Sequence, residues 1–162
     1  MAKKEDKTNV MRILDQKKIE YNHYIYECDA ALSGDEIATK LGQNPDHVFK
    51  TLVTTNGKNS YFVFMIPVNR ELDLKKAAKA ANEKSIEMIK SKDLLGLTGY
   101  IHGGCSPIGM KKLFPTTCDE SAQLYETIIF SGGRIGCQVE MPASVLETVV
   151  PIKYADLCKN ND

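Results

Sequence analysis

The feature that most constrains the fold is a pair of β-favouring runs joined by Asn56-Gly57. The runs cover residues 48–54 and 60–67, and both are rich in β-branched and aromatic side chains. Asn-Gly readily adopts the positive φ angles of a type I′ turn, which joins two antiparallel strands tightly. The sequence therefore predicts a β-hairpin at this point in the chain.

Helices and further strands are predicted on both sides of the hairpin. Thr8 is placed to cap a helix that reaches about residue 18, and Asp73 is placed to cap another that reaches about residue 81. Ser33 and Glu36 have the spacing of a capping box, and Gly42 follows as a helix stop. The remaining predicted elements are strands at 21–26, 85–88, 127–130 and 135–139, and helical segments at 91–96, 142–149 and 154–159. Because hairpins join several strands, we expect a mixed, largely antiparallel α/β fold rather than a doubly wound parallel one.

Length and composition predict one globular domain over residues 1–162, with 1–7 and 159–162 loosely ordered. No run has the roughly 18 apolar residues of a membrane span, and the polar start of the chain does not have the pattern of a signal peptide. The five cysteines form no C-x-x-C pair and no zinc-like cluster. We therefore expect reduced thiols in a cytoplasmic protein, with no disulfide framework, no metal and no cofactor.

The charge balance excludes a global attraction to nucleic acid, because 21 basic residues face 21 acidic ones. Any contact with RNA would need a local patch or a partner protein. The candidate patches are lysine clusters, each of which equally fits a solvated helix face: Lys75, Lys76 and Lys79; Lys90 and Lys92; Lys111 and Lys112.

Lys50 is the first candidate for chemistry. Strand alternation puts Val48, Lys50 and Leu52 on one face of the first hairpin strand, so a cation stands between two apolar neighbours. An ammonium group that is partly buried there would lie ready to meet a phosphate, a ribose hydroxyl or a developing oxyanion. An edge-strand lysine, or one whose ammonium reaches solvent, satisfies the same pattern.

The second candidate is the segment Gly103-Gly104-Cys105-Ser106-Pro107, called the glycine loop below. Two glycines allow a ligand to approach the backbone closely, and Ser106 followed by Pro107 has the pattern of a helix start. Free amides at such a start would form an anion or oxyanion site, although a tight turn without a ligand fits the same residues. Cys105 with His102 also raises the alternative of a thiol nucleophile, but no third residue is marked to orient the histidine.

The third candidate is Ser131-Gly132-Gly133 through Gln138, between two β-favouring runs. Glycines in this position most often make only a turn. Ser131 and Gln138 would bind a polar ligand if their side chains converge with Lys50. Taken alone, these three segments indicate a ligand pocket and do not identify a reaction.

Taken in order, these segments resemble the YbaK/EbsC family of aminoacyl-tRNA editing proteins. The resemblance lies in Lys40-Leu41-Gly42, Val48-Phe49-Lys50-Thr51-Leu52, Leu72-Asp73-Leu74, Gly103-Gly104-Cys105-Ser106-Pro107 and Ser131-Gly132-Gly133, and it extends from about residue 8 to 156. It implies a mixed α/β domain around a barrel-like sheet of six or seven strands. It also implies hydrolysis of Cys-tRNA(Pro), with aminoacyl-tRNA as substrate and prolyl-tRNA synthetase as a possible partner.

The resemblance also implies roles for single residues. Lys50 matches the family's essential lysine, and Gly103, which opens the glycine loop, is implied as the second catalytic residue. The implied substrate-binding residues are Tyr26, Thr51, Gly104, Cys105, Ser106, Pro107, Ser131 and Gln138. The implied mechanism has the substrate's own thiol attack its ester carbonyl, so that the protein positions the substrate and supplies no nucleophile.

Two departures from the family pattern bear on specificity. Gln138 stands where close relatives carry aspartate, and Ser33 stands where a pocket phenylalanine is expected. Alternatives are therefore a deacylase for Ala-tRNA(Pro) or another small amino acid, and a module that binds an aminoacyl-adenosine or a nucleotide without hydrolysis. The sequence predicts no oligomeric state.

Overall fold

The structure is a computed structural model that describes residues 7–27 and 32–160. Its α-helices are α1 (Asn9–Gln16), α2 (Gly34–Lys40), α3 (Leu74–Ala81), α4 (Leu94–Thr98) and α5 (Ala143–Leu146). Its strands are β1 (Asn22–Ile25), β2 (Phe49–Thr55), β3 (Tyr61–Pro67), β4 (Glu87–Met88), β5 (Thr116–Asp119), β6 (Ile128–Ser131), β7 (Cys137–Met141) and β8 (Ile152–Ala155). Short 3₁₀ turns cover Pro45–His47, Ser91–Asp93 and Glu120–Leu124. None of the described helices is long and apolar enough to cross a membrane.

The strands form two sheets. One is antiparallel, in the order β1-β7-β6, and the other has the order β4-β2-β3-β5-β8. In the larger sheet β2 pairs antiparallel with β3 and β4, whereas β5 runs parallel to both β3 and β8. The expected mixed α/β fold with largely antiparallel pairing is therefore confirmed.

A single parallel bridge between Val48 and Ile129 joins the two sheets. Val48 lies just before β2, and Ile129 lies within β6. Near its other end, at Thr54 and Thr55, the same edge of β2 pairs with β4. The strands therefore follow one another in the order β1-β7-β6-β2-β3-β5-β8, with β4 beside β6 on the edge of β2.

The core lies on both faces of this series of strands. The main cluster joins α1 to one face, with Val10, Leu14, Phe130 and Val139 among its fully buried members. On the other face, two smaller clusters cover β2 and its neighbours. One contains Phe64, Ile66 and residues of α3, and the other contains Ala38 of α2 with Val48 and Ile129. Helix α2 is thus packed on the junction between the sheets.

The predicted helix caps are confirmed. The Thr8 hydroxyl accepts a hydrogen bond from the Met11 amide at 3.2 Å, and the Asp73 carboxylate accepts from two amides in the first turn of α3. At α2 both halves of the capping box are present, because Ser33 Oγ accepts from the Glu36 amide and the Glu36 carboxylate accepts from the Ser33 amide. These bonds satisfy amides that have no partner within the helix.

The hairpin is confirmed, but the expected two-residue type I′ turn is wrong. Thr55 pairs with Tyr61, so the connection has five residues, with positive φ at Gly57 and Asn59. The Asn56 side chain accepts hydrogen bonds from the amides of Lys58 and Ser60, and this local bonding stabilises the longer turn.

Two further predictions need correction. The helical segment expected at 91–96 continues through α4 and ends at Gly99, whose φ is 87°. The segment 154–159 is not helical: β8 occupies Ile152–Ala155, beside the short strand β5, which the sequence analysis did not predict. Side chains of Ile152 and Tyr154 pack against the main core, so tertiary burial decides the conformation of this segment.

We predict that Ser33→Ala lowers the free energy of unfolding by about 1 kcal/mol, because it removes the cap of α2. Urea denaturation measures the change. Ser91→Ala is the matched control, since Ser91 is exposed and makes no side-chain hydrogen bond among the described residues. Equal losses in the two variants would contradict the assigned role of the capping box.

Candidate active site

Three of the residues singled out in the sequence lie on one face of adjacent strands. Ser131 of β6 is directly opposite Gln138 of β7, which is directly opposite Tyr24 of β1. Lys50 continues this line on β2, because Lys50 and Ser131 each lie two residues beyond the parallel Val48–Ile129 bridge. Neighbouring strands are about 4.8 Å apart, so the four side chains span roughly 15 Å. We call Tyr24, Gln138, Ser131 and Lys50 the site row.

The site row lies on the face opposite the main core. Cys137, Val139 and Met141 point into that core, so the alternate residue Gln138 points to the other side of β7. Likewise Phe49 packs in the main core, which places Lys50 on the opposite face of β2. The predicted alternation around Lys50 is therefore confirmed.

Lys50 is a half-buried cation. It has no hydrogen bond or ion pair with any residue that the structure describes. Burial lowers the pKa of its ammonium group, while the carboxylates of Glu71 and Asp35 act in the opposite direction from a greater distance than an ion pair. Such a group gains more from an anionic or polar ligand than a lysine in open solvent does.

Ser131 and Gln138 differ in how far they are already hydrogen-bonded. The Ser131 hydroxyl oxygen accepts from the Gly133 amide at 3.1 Å, which leaves its own hydrogen available to donate. Gln138 is 5% exposed, and its side-chain amide is paired with that of Gln43. The sequence analysis did not identify Gln43, because a single glutamine after a helix stop carries no recognisable signal.

Tyr26 lies beside the site row, and Thr51 lies on the other face of β2. Tyr26 is two residues beyond Tyr24 on the same side of its chain, and its amide donates to the Gly136 carbonyl at 3.0 Å. The side chain of Thr51 is on the face opposite Lys50, where its hydroxyl is buried without a hydrogen-bond partner. Tyr24 is the site-row tyrosine that the sequence analysis missed, although its alternation with Tyr26 was a usable signal.

The glycine loop packs against the turn that joins β6 and β7. A Cβ atom added to Gly104 would lie 3.0 Å from the Arg134 Cα, and one added to Gly103 would lie 3.4 Å from the Ile135 side chain. Gly103 also has a φ of 89°, which other residues rarely adopt. Because Ser131 and Gln138 are the last pair of this hairpin, the packing holds the loop at the same end of β6 and β7 as the site row.

The expected helix start at Ser106 and Pro107 is wrong. The segment is irregular, and Ser106 Oγ accepts from the Ile108 amide in a tight turn at 3.3 Å. The Gly104 amide is also used, donating to the Ile101 carbonyl. The amides of Gly103, Cys105 and Ser106 have no partner among the described residues. Gly103 is exposed and Cys105 is 8% exposed, whereas Ser106 has no exposed surface, so the first two amides are the donors that the loop can offer to a ligand.

Cys105 does not have the properties of a thiol nucleophile. Its side chain belongs to the main core and is 8% exposed, and burial raises the pKa of the thiol to about 12. A nucleophilic cysteine needs the opposite shift, toward the thiolate. His102 is exposed on the turn before the loop.

The other described cysteines are equally unsuited to reaction or to metal binding. Cys118, Cys137 and Cys158 are buried free thiols, and burial raises the pKa of each. Cys28 lies outside the described residues. Within those residues, no group of three or more histidine, cysteine or acidic side chains is placed to hold a metal ion.

The lysine clusters are separate from the site row. Lys76 forms an ion pair with Asp156 at 3.0 Å and donates to the Cys158 carbonyl, so it contributes to the packing of α3. Lys111 and Lys112 are exposed, and Lys112 borders a cavity of about 130 Å³. That cavity is also lined by Ile13, Pro107 and Val150, and it contains no residue of the site row.

Comparison with known proteins identifies the class. Residues 29–149 match the model of the aminoacyl-tRNA editing domain. The chain is 46% identical over 160 residues to EbsC of Enterococcus faecalis, provisionally named a Cys-tRNA(Pro)/Cys-tRNA(Cys) deacylase, with 97% of this chain and 98% of that protein covered. It is also 28% identical over 99 residues to a proline–tRNA ligase of Fervidobacterium nodosum, which covers 61% of this chain and 17% of the ligase.

A solved structure shows the same fold. It is provisionally described as a trans-editing enzyme for prolyl tRNA synthetase, and it matches with a TM-score of 0.81 at 20% identity over 94% of this chain and 99% of that one. The editing-domain match and the relative that is 46% identical define the class as an enzyme that hydrolyses an aminoacyl-tRNA ester. The chain belongs to the aminoacyl-tRNA editing domain family.

We predict that Gly104→Ala lowers the free energy of unfolding by about 1–3 kcal/mol, because the added methyl group would press against the backbone of Arg134. Gly96→Ala is the control: Gly96 lies within α4, its added methyl would meet nothing within 4 Å, and alanine favours a helix. Thermal and urea unfolding measure both variants. A neutral Gly104→Ala would contradict the close packing of the glycine loop on the β6–β7 turn.

Proposed function

We propose that this protein is a cytoplasmic trans-editing deacylase that removes cysteine from mischarged Cys-tRNA(Pro). The observation that carries the proposal is Lys50, a half-buried cation without a partner among the described residues, next to Ser131 in a row of polar side chains. The terminal adenosine of a tRNA supplies the groups such a site lacks, namely a phosphate and a ribose hydroxyl. The relative that is 46% identical supports this substrate class through its name.

Lys50 binds the tRNA end in this proposal. Its ammonium group contacts the terminal phosphate or the ribose, and Ser131 donates its free hydroxyl hydrogen to a polar atom of the substrate. Fixing the ester in one orientation is itself a large part of catalysis. Burial strengthens the charge interaction, because the local dielectric constant is lower than that of water.

The glycine loop stabilises the reacting carbonyl. The unpaired amides of Gly103 and Cys105 are donors for the oxygen on which negative charge develops. Buried amides without a partner are costly, so a substrate oxygen that accepts from them gains a preformed site.

The substrate supplies the nucleophile. The cysteinyl sulfur bonds to the ester carbonyl carbon, the bond to the ribose oxygen breaks, and the thiol proton ends on the released hydroxyl group. The product is a four-membered thiolactone, which water then opens to free cysteine. A serine hydroxyl is a much poorer nucleophile than a thiol, so this route separates the two amino acids without a side chain of the protein taking part.

A prolyl-tRNA synthetase is the proposed partner. The formal net charge of zero provides no general attraction to tRNA, so a second protein that already holds the tRNA would deliver it. The similarity to part of a proline–tRNA ligase supports the same partner. The lysines at 111 and 112 follow the glycine loop and are exposed, which makes them candidates for additional phosphate contacts.

We predict that the wild-type protein releases cysteine from Cys-tRNA(Pro), and that Lys50→Ala slows release on the order of 100-fold because a charged contact is lost. Lys58→Ala is the control, since Lys58 is exposed on the hairpin turn and belongs to none of the candidate lysine clusters. Release of labelled amino acid is measured on Cys-tRNA(Pro), Cys-tRNA(Cys), Ala-tRNA(Pro) and Ser-charged tRNA.

Each substrate tests a different part of the proposal. Preferential release of alanine would replace the cysteine specificity with that of an alanine deacylase. Serine release as fast as cysteine release would contradict attack by the substrate thiol. If no substrate is hydrolysed, the deacylase proposal fails and binding without hydrolysis becomes the function to test.

A further inference from the structure

Gln43 contacts the buried centre of the site row. Its Nε2 donates to Gln138 Oε1 at 2.7 Å, and Gln138 Nε2 donates back to Gln43 Oε1 at 3.3 Å. Gln138 is 5% exposed and lies between Tyr24 and Ser131 in the register of the sheet. Among the residues that the structure describes, Gln43 therefore fixes the side-chain orientation of Gln138.

The position of Gln43 is itself well determined. Its amide donates to the Ala38 carbonyl at 2.8 Å, which wraps the chain around the end of α2 after Gly42, whose φ is 70°. Ala38 is fully buried against Val48 and Ile129, the two residues that join the sheets. Helix α2, which is capped and packed on the bridge residues, thus holds Gln43 against Gln138.

The reciprocal pair has a chemical consequence for the site. Each amide uses one donor and one acceptor on the other, so the pair itself is neutral and hydrogen-bonded. The neighbouring carboxylate on this face, Glu140, accepts hydrogen bonds from the hydroxyl groups of Tyr24 and Thr127. Without Gln43, the buried Gln138 amide would have unmet hydrogen bonds and would rotate or take in water. The orientation of Gln138 therefore depends on a residue from a different part of the chain.

We propose that Gln43 is a positioning residue for aminoacyl selection: it holds Gln138 so that the unused N–H and lone pair of its side-chain amide face the aminoacyl group and favour the thiol of cysteine over the methyl group of alanine. This inference rests on the proposed function. Within the site row Lys50 is the charged residue, and the Glu140 carboxylate next to Gln138 is already hydrogen-bonded to Tyr24 and Thr127. Gln138 therefore offers its ligand hydrogen bonds rather than a charge.

The test measures selectivity. Non-hydrolysable amide analogues of cysteinyl-adenosine and alanyl-adenosine are titrated calorimetrically against the wild type and Gln43→Met, and deacylation of Cys-tRNA(Pro) and Ala-tRNA(Pro) is followed in parallel. Gln43→Met keeps the length of the side chain and removes its hydrogen bonds. We expect the preference for cysteine over alanine to fall about tenfold, the order expected from one lost buried hydrogen bond.

A second variant and a control separate positioning from folding. Gln43→Glu still accepts from Gln138 Nε2, so it should retain more of the cysteine preference than Gln43→Met does. Gln123→Met, at an exposed glutamine of the 3₁₀ turn 120–124, should leave the preference unchanged. Thermal unfolding of every variant shows whether a change in selectivity accompanies a loss of fold.

A double-mutant cycle tests the coupling to Gln138. The double variant Gln43→Met/Gln138→Met should have the same selectivity as Gln138→Met alone, because Gln43 acts only through Gln138. Additive losses, or an unchanged preference in Gln43→Met, would overturn the inference. A wild type that binds the cysteinyl analogue selectively but hydrolyses neither tRNA would refute the deacylase function and leave the positioning role supported.

Discussion

The parallel bridge between Val48 and Ile129 is the contact on which the site depends. It joins an antiparallel three-stranded sheet to a mixed five-stranded one, and it sets the register that brings Lys50 beside Ser131. A shift of one residue at this bridge would turn Lys50 or Ser131 to the opposite face, because strand side chains alternate. The packing of Ala38 on both bridge residues stabilises the register.

The same arrangement explains how a cation is kept half-buried without a fixed partner. Lys50 lies on β2 between Val48, which belongs to the cluster beneath α2, and Leu52, which packs on the cluster beneath α3, and its side chain is half-buried. Glu71 and Asp35 are near enough to favour the charged form but not near enough to form an ion pair. The positive charge of Lys50 thus stays available for a ligand. The free-energy cost of partly burying that charge is offset by the surrounding apolar packing.

Local sequence signals predicted much of the fold. The caps at Thr8, Ser33 and Asp73 act through residues within one turn, and the hairpin follows from side-chain alternation, so each could be read from a short stretch of chain. Strands β5 and β8 could not, because their parallel pairing unites segments more than 30 residues apart and depends on burial. The length of the hairpin turn was missed because the Asn56 side chain, not the Asn-Gly pair alone, determines it.

For the site, alternation correctly predicted the face on which Lys50 lies. The glycines at 103 and 104 were expected to admit a ligand, which stays a prediction, and the close neighbours that the structure gives them are Ile135 and Arg134 of the β6–β7 turn. The helix expected at Ser106 did not form, so the oxyanion donors in our account are loop amides without a helix dipole behind them. The pairing of Gln43 with Gln138 joins residues 95 positions apart, and no local pattern predicts such a contact.

The central claim is that the site row and the glycine loop bind opposite ends of one aminoacyl ester. A crystal structure with a non-hydrolysable cysteinyl-adenosine amide tests it most directly. Our account predicts the adenosine beside Lys50, the amide carbonyl oxygen within hydrogen-bond distance of the glycine-loop amides, and the cysteinyl side chain near Gln138. An analogue bound instead in the cavity lined by Ile13, Pro107 and Val150, with Lys50 untouched, would contradict it.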